Sequence, residues 1–390
     1  MTFWNGLPAP VIGLSPMDGV TDSAFRLMTA RQGKPDVIFT EFTHVHDVCR
    51  GPEFLLDSLR YDEAERPIVA QLYGKDPELF YQAAHVVCEL GFDGLDINMG
   101  CPSRNVASSG SGAGLIRTPD LAHEIMRAAR QGIADWTAGQ TLDGAGLKAA
   151  RVDLVHRLNG GRDHRSAERS AIPLSVKTRL GYDEVIVERW VEHLLLESPS
   201  AISLHGRTLQ QMYRGEADWA AIGRAAQLVR GSGTLLFGNG DVQSLGEVVR
   251  RVAETGVDGV LVGRAALGAP WFFREKEEAR RHAHTAHPWE AEPWTPSLAD
   301  RFERLLAHAR LFEVQYGGQQ FRRMRKHLGW YCKGFPHAAA LRARMFRVSS
   351  VGEVEAVIAD YTSGRLPDDC RAEEPSLDER ETAHLASRCG

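Results

Sequence analysis

The sequence predicts an α/β fold, a (β/α)8 TIM barrel followed by a small C-terminal α-helical bundle. Two observations predict the barrel: eight short apolar runs end in polar or glycine residues, and helical-looking spacers separate most of these runs. Continuous apolar runs that alternate with amphipathic spacers are typical of a parallel sheet, and eight such units favour closure. An open, doubly wound sheet is the structural alternative. The predicted strands are residues 11–17, 37–42, 67–74, 94–101, 174–179, 201–207, 235–241 and 259–264.

Length and composition bound the class of protein. A chain of 390 residues with 43% hydrophobic residues can fill one barrel-sized core and a smaller one. The first residues lack the basic flank and apolar run of a signal peptide, and no apolar stretch approaches the roughly 20 residues that span a bilayer. We therefore expect a cytoplasmic protein with no membrane association. The six cysteines form no Cys-x-x-Cys pair, so neither a disulfide framework nor a metal site is predicted.

The segment 93–115 organises the rest of the predicted barrel. Its first half alternates apolar and polar residues, which lets Leu95 and Ile97 enter the core while Asn98 and Cys101 emerge where the strand ends. Catalytic groups of parallel barrels sit at this end of the strands. The glycine-rich loop that follows offers backbone N–H groups to a ligand. The alternative for Cys101 is a small core residue, since free cysteine is among the most buried residue types.

Polar residues also follow the first and third predicted strands. Thr21 or Asp22 is a candidate cap for the next helix, whose core face would hold Phe25 and Met28. Gln71, at the end of the third strand, suits hydrogen bonding to a planar heterocycle, although a satisfied strand-end glutamine fits the pattern equally well.

Paired basic residues mark the fifth and sixth predicted strands. Period-two geometry turns Lys177 and Arg179 the same way, and it does the same for His205 and Arg207. An inward-facing pair of cations is costly unless it meets an anion, so a phosphate or a planar ring that carries negative charge is predicted nearby. The alternative for His205 is a hydrogen-bonded core histidine.

Glycines follow the seventh and eighth predicted strands, and an arginine opens the helix after the eighth. Bare backbone N–H groups and a helix N-terminus at these positions are typical of the phosphate site of a barrel. Taken alone, the Gly-Asn-Gly-Asp sequence is only a turn pattern. The candidate phosphate contacts are Asn239, Gly240, Asp241, Gly263 and Arg264.

Seven short motifs occur in one order and at the predicted strand ends. Together they resemble the tRNA-dihydrouridine synthases, flavin enzymes that reduce uridines in tRNA. An ordered set covering roughly residues 11 to 270 is far more specific than any one motif. The motifs are Pro-Met-Asp-Gly-Val-Thr-Asp at 16–22, Gln-Leu-Tyr-Gly at 71–74, Asp-Ile-Asn-Met-Gly-Cys-Pro at 96–102, Lys-Thr-Arg at 177–179, His-Gly-Arg at 205–207, Asn-Gly-Asp at 239–241 and Gly-Arg at 263–264.

The resemblance implies a role for each matching residue. Cys101 would be the proton donor, and Asn98 would orient the uracil, with Arg179 and Arg207 near the substrate. The loop at 108–114 lacks the basic residue that many members carry, which leaves its RNA contacts open. The residues implied to bind FMN are Pro16, Met17, Gln71, Lys177 and His205 around the ring, and Asn239, Gly240, Asp241, Gly263 and Arg264 towards the phosphate.

The residue types agree with reduction of a C5–C6 double bond. No side chain donates hydride, so a cofactor must supply it, and a thiol with an ordinary pKa near 8.5 is mostly protonated at neutral pH and can supply the proton. The sequence has no Gly-x-Gly-x-x-Gly dinucleotide pattern of its own. NADPH is implied as the reductant by the resemblance.

Two irregular stretches suggest how the chain is divided. An insertion at about 131–172 is long for a connection within a barrel, and its mixed charges predict a solvated surface element with a helix near 147–158. Residues 282–297 hold three prolines and two tryptophans and suggest a linker. The predicted units are an FMN-binding catalytic barrel at 1–281, a helical tRNA-binding domain at 298–365, and a flexible acidic tail at 366–390.

Charge is concentrated beyond the linker. Residues 301–347 contain 11 Lys or Arg and two acidic residues, whereas residues 348–390 contain four basic and ten acidic residues. Clustered cations in a chain of net charge −5 are the footprint expected for a phosphate backbone, although a solvated face is the common alternative. Trp330 and Tyr331 are expected in the core of the bundle. The basic residues expected to be largely exposed are Arg322, Arg323, Arg325, Lys326 and Lys333, and the first four are the candidate tRNA contacts.

The leading hypothesis is an FMN- and NADPH-dependent reductase of D-arm uridines in tRNA, acting as a monomer. A small-molecule flavin reductase on the same barrel would explain the cofactor residues but leave the basic bundle without a role. A non-catalytic tRNA-binding protein is the third hypothesis, and it gives Cys101 no function. Fold alone does not decide among them.

Overall fold

The sheet is a closed ring of parallel strands. The computed structural model describes residues 2–160, 169–283, 289 and 292–365. Every strand pairing within those residues is parallel, and β2 pairs with both β1 and β4, which closes the ring. The strands are β1 Val11–Leu14, β2 Ile38–Phe39, β3 Thr43–His44, β4 Ile68–Tyr73, β5 Gly94–Met99, β6 Leu174–Arg179, β7 Ala201–His205, β8 Leu235–Asn239 and β9 Gly259–Val262.

The predicted barrel is confirmed, and the open sheet is excluded by the closure through β2 and β4. Each of the eight predicted strands is present, and the short β3 is an additional strand paired with β4. Several strands end earlier than predicted: β1 ends at Leu14 rather than at residue 17. The residues that follow β1, Ser15 to Met17, line the mouth of the barrel.

Strand register brings polar residues from distant parts of the sequence side by side. Gln71 of β4 is the register partner of Asp96 in β5, and Asp96 is in turn the partner of Ser175 in β6. One pleat further towards the mouth, Asn98 is the partner of Lys177. Because side chains alternate across a strand, residues two apart share one face, so Asp96 and Asn98 lie on the same face of β5.

Helices surround the barrel, and several begin at a side-chain cap. Asp22 accepts a hydrogen bond from the backbone N–H of Phe25 at the start of α1, which confirms the predicted cap. Phe25 and Met28 are buried, as predicted. The helices are α1 Ser23–Gln32, α2 Val45–Arg50, α3 Pro77–Glu89, α4 Arg104–Ser108, α5 Pro119–Thr137, α6 Ala149–Asn159, α7 Val187–Leu195, α8 Trp219–Val229, α9 Leu245–Thr255, α10 Lys276–His282, α11 Leu298–Tyr316, α12 Arg325–Tyr331, α13 Ala338–Met345 and α14 Val351–Thr362.

The insertion between α5 and β6 packs one face of α6 on the barrel. The helix predicted near 147–158 is present as α6, but Leu154 and Val155 are buried in the barrel core cluster. Asn159 donates a hydrogen bond of 2.6 Å to the carbonyl oxygen of Glu89 at the end of α3. The other face of α6 is exposed at Asp153, His156 and Arg157, so the helix lies at the surface with an apolar side packed on the barrel. Residues 161–168 of the predicted insertion lie outside the described residues.

Helices α11 to α14 pack around a second hydrophobic core. Trp330 and Tyr331 are buried, as predicted, but they belong to different cores. Trp330 packs in the barrel core, whereas Ala24 and Trp271 of the barrel pack in the core of the bundle. Close approach to the Trp330 carbonyl leaves no room for a Cβ at Gly268. Each core thus contains at least one large side chain from the other unit: Trp330 of the bundle in the barrel core, and Trp271 of the barrel in the bundle core.

Parts of the predicted linker, residues 284–288 and 290–291, and the predicted tail at 366–390 lie outside the described residues. Among the helices that are described, none has both the length and the apolar character of a membrane-spanning segment.

Candidate active site

A cavity opens at the carboxyl ends of the barrel strands. Its lining comes from the loops after several strands, and it brings together most of the candidate residues that the sequence singled out. Arg207 is the exception among the barrel candidates, since it is not among the described residues that line the cavity. The candidates in the lining are Pro16, Met17, Gln71, Asn98, Cys101, Lys177, Arg179, His205, Asn239, Gly240, Asp241, Gly263 and Arg264.

Cys101 lies at the wall of this cavity, just past the end of β5. The residue is 5% exposed, so the alternative of a small buried cysteine describes its burial but not its position. Its backbone N–H donates a 2.8 Å hydrogen bond to Oδ1 of Asn98. Gly112, at φ +56°, packs against this segment, and a Cβ there would lie 3.1 Å from that of Cys101. The glycine-rich loop therefore backs Cys101 closely.

A buried carboxylate lies beneath the cavity floor. Asp96 is fully buried and accepts 2.7 Å hydrogen bonds from Oγ of Ser175 and from Nε2 of Gln71. Gln71 in turn accepts a 2.9 Å hydrogen bond from Nδ2 of Asn98. Burial raises the pKa of Asp96 to about 6, although the two hydrogen bonds and Lys177 oppose this shift. The carboxylate is therefore ionised at neutral pH.

The two basic residues of β6, Lys177 and Arg179, have different surroundings. Arg179 is buried and donates to three backbone carbonyl groups, those of Gly100 at 2.7 Å, Thr208 at 2.9 Å and Met212 at 3.1 Å. Three carbonyl oxygens thus hold its guanidinium, while the residue also lines the cavity. Lys177 is only half-buried and lines the cavity. Burial, and then the charge of Arg179, lowers the pKa of Lys177 to about 8.

His205 is a neutral histidine at the cavity. Burial holds its pKa well below the ordinary range, and the charges of Arg179, Lys177, Arg207 and Arg264 push in the same direction. Its Nδ1 atom is buried without a hydrogen-bond partner in the described structure. A buried polar atom without a partner beside a cavity is the kind that a bound ligand satisfies, so Nδ1 of His205 is a candidate ligand contact.

Beyond His205, the loops after β8 and β9 form a basic corner. Asp241 accepts hydrogen bonds from Arg207 at 2.6 Å and from Arg264 at 2.7 Å, so one carboxylate holds two guanidinium groups. Asn239 donates to the carbonyl oxygen of Leu261 at 2.7 Å, which fixes the strand end. A carboxylate repels phosphate, so Asp241 suits the holding of Arg264 rather than direct contact with an anion.

Arg207 is buried and does not line the cavity. Besides Asp241, its guanidinium donates to the carbonyl oxygen of Arg214 at 3.2 Å and to that of Gly215. The residue is 2% exposed. Its contacts tie the loop between β7 and α8 to the end of β8, and that loop brings Met212 and Tyr213 into the cavity lining.

A family model described as dihydrouridine synthase matches residues 13–135 and 163–363. This match covers well over half of the chain and includes the loops that build the cavity. The chain belongs to the dihydrouridine synthase family. Its membership agrees with the ordered motifs on which the resemblance was based.

Relatives of similar length support the same family. The chain is 32% identical over 367 residues to the probable tRNA-dihydrouridine synthase 2 of Bacillus subtilis (strain 168), across 92% of this chain and 96% of the relative. It is 30% identical over 379 residues to the probable tRNA-dihydrouridine synthase of Staphylococcus aureus (strain MRSA252), across 95% and 98% of the two chains. Among solved structures, DHODH from Eimeria tenella in complex with ferulenol has a TM-score of 0.44 at 13% identity, with 69% of this chain and 80% of that chain covered.

The basic residues of the bundle in this dihydrouridine synthase family member are less uniform than predicted. Arg322 and Lys333 are exposed, but Arg323, Arg325 and Lys326 are half-buried. The prediction that all five are largely exposed is therefore wrong for three of them. Contacts with nearby residues partly cover these side chains. Arg325, for example, donates hydrogen bonds to the carbonyl oxygens of Val348 and Arg347.

Two of these cations face the barrel. The Arg323 guanidinium lies 5.0 Å from the ring of Tyr316 and lines a second cavity next to the first. The Lys326 ammonium lies close to the backbone at Gly19, since a Cβ there would be 3.4 Å from it. Glu41, Phe42 and Asp18 lie among the barrel residues that line the second cavity. The bundle therefore presents positive charge beside the barrel mouth.

Several residues of the site were missed by sequence reasoning. Asp96 was part of a motif but was given no role, although a carboxylate in the middle of an apolar strand is itself a signal of a buried polar network. Met212 and Tyr213 line the cavity from a loop whose sequence carries no such signal. Within the described residues, no cluster of three or more His, Cys, Asp or Glu side chains is arranged to hold a metal ion.

Proposed function

We propose that this protein reduces D-arm uridines of tRNA to 5,6-dihydrouridine, with FMN as the bound cofactor, NADPH as the reductant and Cys101 as the proton donor. The observation that carries the proposal is the placement of Cys101 in one cavity with Lys177 and His205, in a chain of the dihydrouridine synthase family. The relatives named as probable tRNA-dihydrouridine synthases extend over nearly the whole chain, bundle included, which favours tRNA as the substrate.

The cavity residues fit FMN. The unpaired Nδ1 of His205 and the half-buried Lys177 ammonium supply polar contacts for the edge of a flavin ring. Gln71 and the segment of Pro16 and Met17 form neighbouring walls. Asn239, Gly240, Gly263 and Arg264 would hold the phosphate, with Asp241 keeping Arg264 in place. When bound, FMN supplies the hydride that no side chain provides.

Cys101 and Asn98 act on the uracil. The thiol holds a proton at the cavity wall, where it can pass to the carbon next to the one that receives hydride. Asn98 has a second N–H besides the one given to Gln71, and this N–H is suited to a carbonyl oxygen of the base. Arg179 supports this end of the site through its bond to the Gly100 carbonyl, one residue before Cys101.

The helical region at 298–365 would hold the tRNA while the barrel at 1–281 carries out the reduction. A uridine in folded RNA must be unstacked to reach a barrel mouth, and backbone contacts elsewhere stabilise the RNA during that step. Arg322, Arg323 and Lys326 are the cations that we propose for those contacts. We also propose that the protein acts in the cytoplasm, where tRNA is modified, and acts as a monomer.

Reduction of unmodified tRNA by the purified protein tests this function. The protein should bind flavin and, with NADPH, form dihydrouridine that mass spectrometry locates in the D-arm; NADH in parallel reports the preference for the reductant. Cys101→Ser should keep flavin binding and lose about 100-fold or more of the turnover, as is usual for a missing general acid. Cys49→Ala, which removes a buried thiol outside the cavity, is the control. Reduction of free uridine without RNA would favour the small-molecule reductase instead, and tRNA binding without reduction would favour the non-catalytic protein.

A further inference from the structure

A relay of side-chain hydrogen bonds connects Asp96 to the backbone of Cys101. It passes from Asp96 through Gln71 to Asn98, and Oδ1 of Asn98 then accepts from the N–H of Gly100 at 3.0 Å and from that of Cys101 at 2.8 Å. Each bond is short and each side chain is buried. Asp96 itself is not among the described residues that line the cavity, so it reaches the reaction through its partners.

The direction of the relay is set chemically at its buried end. An ionised carboxylate only accepts hydrogen bonds, whereas a carboxamide can present either its oxygen or its nitrogen. Asp96 therefore requires Gln71 to turn its NH2 group inwards, which leaves Oε1 of Gln71 for Asn98. Asn98 must then donate from its NH2 group to Oε1 of Gln71. This leaves Oδ1 of Asn98 to accept from the N–H groups of Gly100 and Cys101.

Ser175 completes the anchor. Its hydroxyl donates to the other oxygen of Asp96 at 2.7 Å, so the carboxylate has a partner on each side and its rotation is fixed. The register of β4, β5 and β6 places the three side chains in one row. A buried charge with satisfied hydrogen bonds is costly to disturb. Asp96 is therefore well suited to hold the segment of Gly100 and Cys101 in one position.

We propose that Asp96 is a positioning residue for proton transfer, which fixes the orientation of the Gln71 and Asn98 carboxamides and thereby holds Cys101 at the cavity wall. This role rests on the proposed function, in which Cys101 gives the proton. Loss of the acceptor at position 96 frees the Gln71 amide to rotate. This rotation disturbs the hydrogen bond between Gln71 and Asn98, and then the one between Asn98 and the backbone of Cys101. Displacement of a reacting group by about 1 Å can reduce the rate about 100-fold.

Two substitutions at position 96 test the role. Asp96→Leu removes the acceptor, and we expect kcat for tRNA reduction to fall about 10- to 100-fold while KM for tRNA stays within about twofold, since the RNA is held elsewhere. Asp96→Asn keeps an oxygen that can accept from Gln71 and an NH2 group that can donate to Ser175, so it should retain kcat within about threefold of the wild type. Ser175→Ala removes only the second hydrogen bond to Asp96, so its loss of kcat should fall between those of Asp96→Asn and Asp96→Leu.

Alkylation of Cys101 gives a readout that does not need the reaction. The rate of iodoacetamide labelling at the Cys101 peptide, followed by mass spectrometry on flavin-loaded protein, should rise at least about threefold in Asp96→Leu and stay near wild type in Asp96→Asn, since a released loop exposes the thiol. Equal kcat and equal labelling in wild type and Asp96→Leu would overturn the positioning role, as would equal losses in both variants at position 96. If the wild-type protein made no dihydrouridine, the proposed function would be wrong. The labelling comparison would still test whether Asp96 positions Cys101, because it does not require the reaction.

Discussion

Oδ2 of Asp22 lies 3.3 Å from Nε2 of His327, and both side chains are almost fully buried. Asp22 caps α1 of the barrel, whereas His327 belongs to α12 of the bundle, so the contact spans the boundary between the two cores. Burial alone would raise the pKa of Asp22, but His327 outweighs it and the pKa falls well below the ordinary range. An ionised carboxylate thus sits where the bundle meets the barrel.

Asp22→Ala should lower the free energy of unfolding by about 1 to 3 kcal/mol, because it removes a helix cap and leaves the buried His327 without its polar neighbour. Part of that loss is the helix cap, worth about 1 kcal/mol. Asp22→Asn keeps a capping oxygen and should lose less, which separates the cap from the charge. Urea unfolding followed by circular dichroism measures both.

Glu355→Ala is the matched control for Asp22→Ala. Glu355 pairs with Arg310 at 2.6 Å, but their side chains are 46% and 60% exposed. Exposed pairs contribute about 0 to 1 kcal/mol. If the losses at Asp22 and Glu355 were equal, the buried contact would have no special part in joining the two cores.

Glu41 should make stability depend on pH between about 4.5 and 7. Burial, with the charges of Asp22 and Asp18, raises its pKa from 4.5 to about 7. Across that window the folded protein binds more protons than the unfolded chain, so the contribution of Glu41 to the free energy of unfolding falls as pH rises. Glu41→Gln removes this dependence. Above pH 7 the variant should be about 1 to 3 kcal/mol more stable than the wild type.

The control for Glu41 lies in the pH series itself. At pH 4.5, where the folded wild type carries a protonated Glu41, the variant and the wild type should have nearly equal stability in thermal unfolding. A constant difference at every pH would assign the effect of Glu41→Gln to packing and not to ionisation.

Changing Arg322, Arg323 and Lys326 together to Gln should weaken tRNA binding and flatten its dependence on salt. The slope of log K against log salt should fall by about one for each cation that faces a phosphate. Filter binding at several salt concentrations measures the slope.

Arg325→Gln provides a contrast within the same helix region. Because its guanidinium is occupied by the carbonyl groups of Val348 and Arg347, its loss should cost about 1 to 3 kcal/mol of stability and leave the salt slope unchanged. If Arg325→Gln weakened tRNA binding more than the triple change did, Arg325 would be the tRNA contact and the other three cations would not.

Arg264→Gln should weaken FMN binding about 10- to 100-fold, since a charge-assisted hydrogen bond to phosphate is worth about 1.5 to 3 kcal/mol. Fluorescence titration of apoprotein with FMN gives the affinity. Arg250→Gln, at an arginine of α9 that is 53% exposed, changes the same charge at a distance from the candidate phosphate site and should leave FMN affinity within about twofold. Equal effects would place the phosphate elsewhere.

Hydrophobic periodicity was sufficient to predict the barrel because burial on both faces forces strands into continuous apolar runs. The position of Cys101, Lys177 and His205 followed from the same logic, since a strand that ends at a barrel mouth must expose its last polar residues there. These predictions depend on local sequence alone, which is why the eight strands were found to within a few residues.

The partners of the buried arginines could not be predicted in this way. Arg179 and Arg207 bond to carbonyl groups of loops, and every residue carries a carbonyl group, so sequence gives no sign of which one is used. Asp22 and His327 are separated by some 300 residues, and only the docking of the bundle brings them together. The packing of one face of α6 was not predicted, because its apolar face is narrow.

The exchange of residues between the two cores has a consequence for folding. Trp330 completes the barrel core and Trp271 completes that of the bundle, so neither core can be filled while the other is absent. Large buried aromatics leave large voids when they are withdrawn, and such voids cost several kcal/mol, about 3 to 5 for a Trp removed. We therefore expect the barrel and the bundle to unfold together, in a single transition.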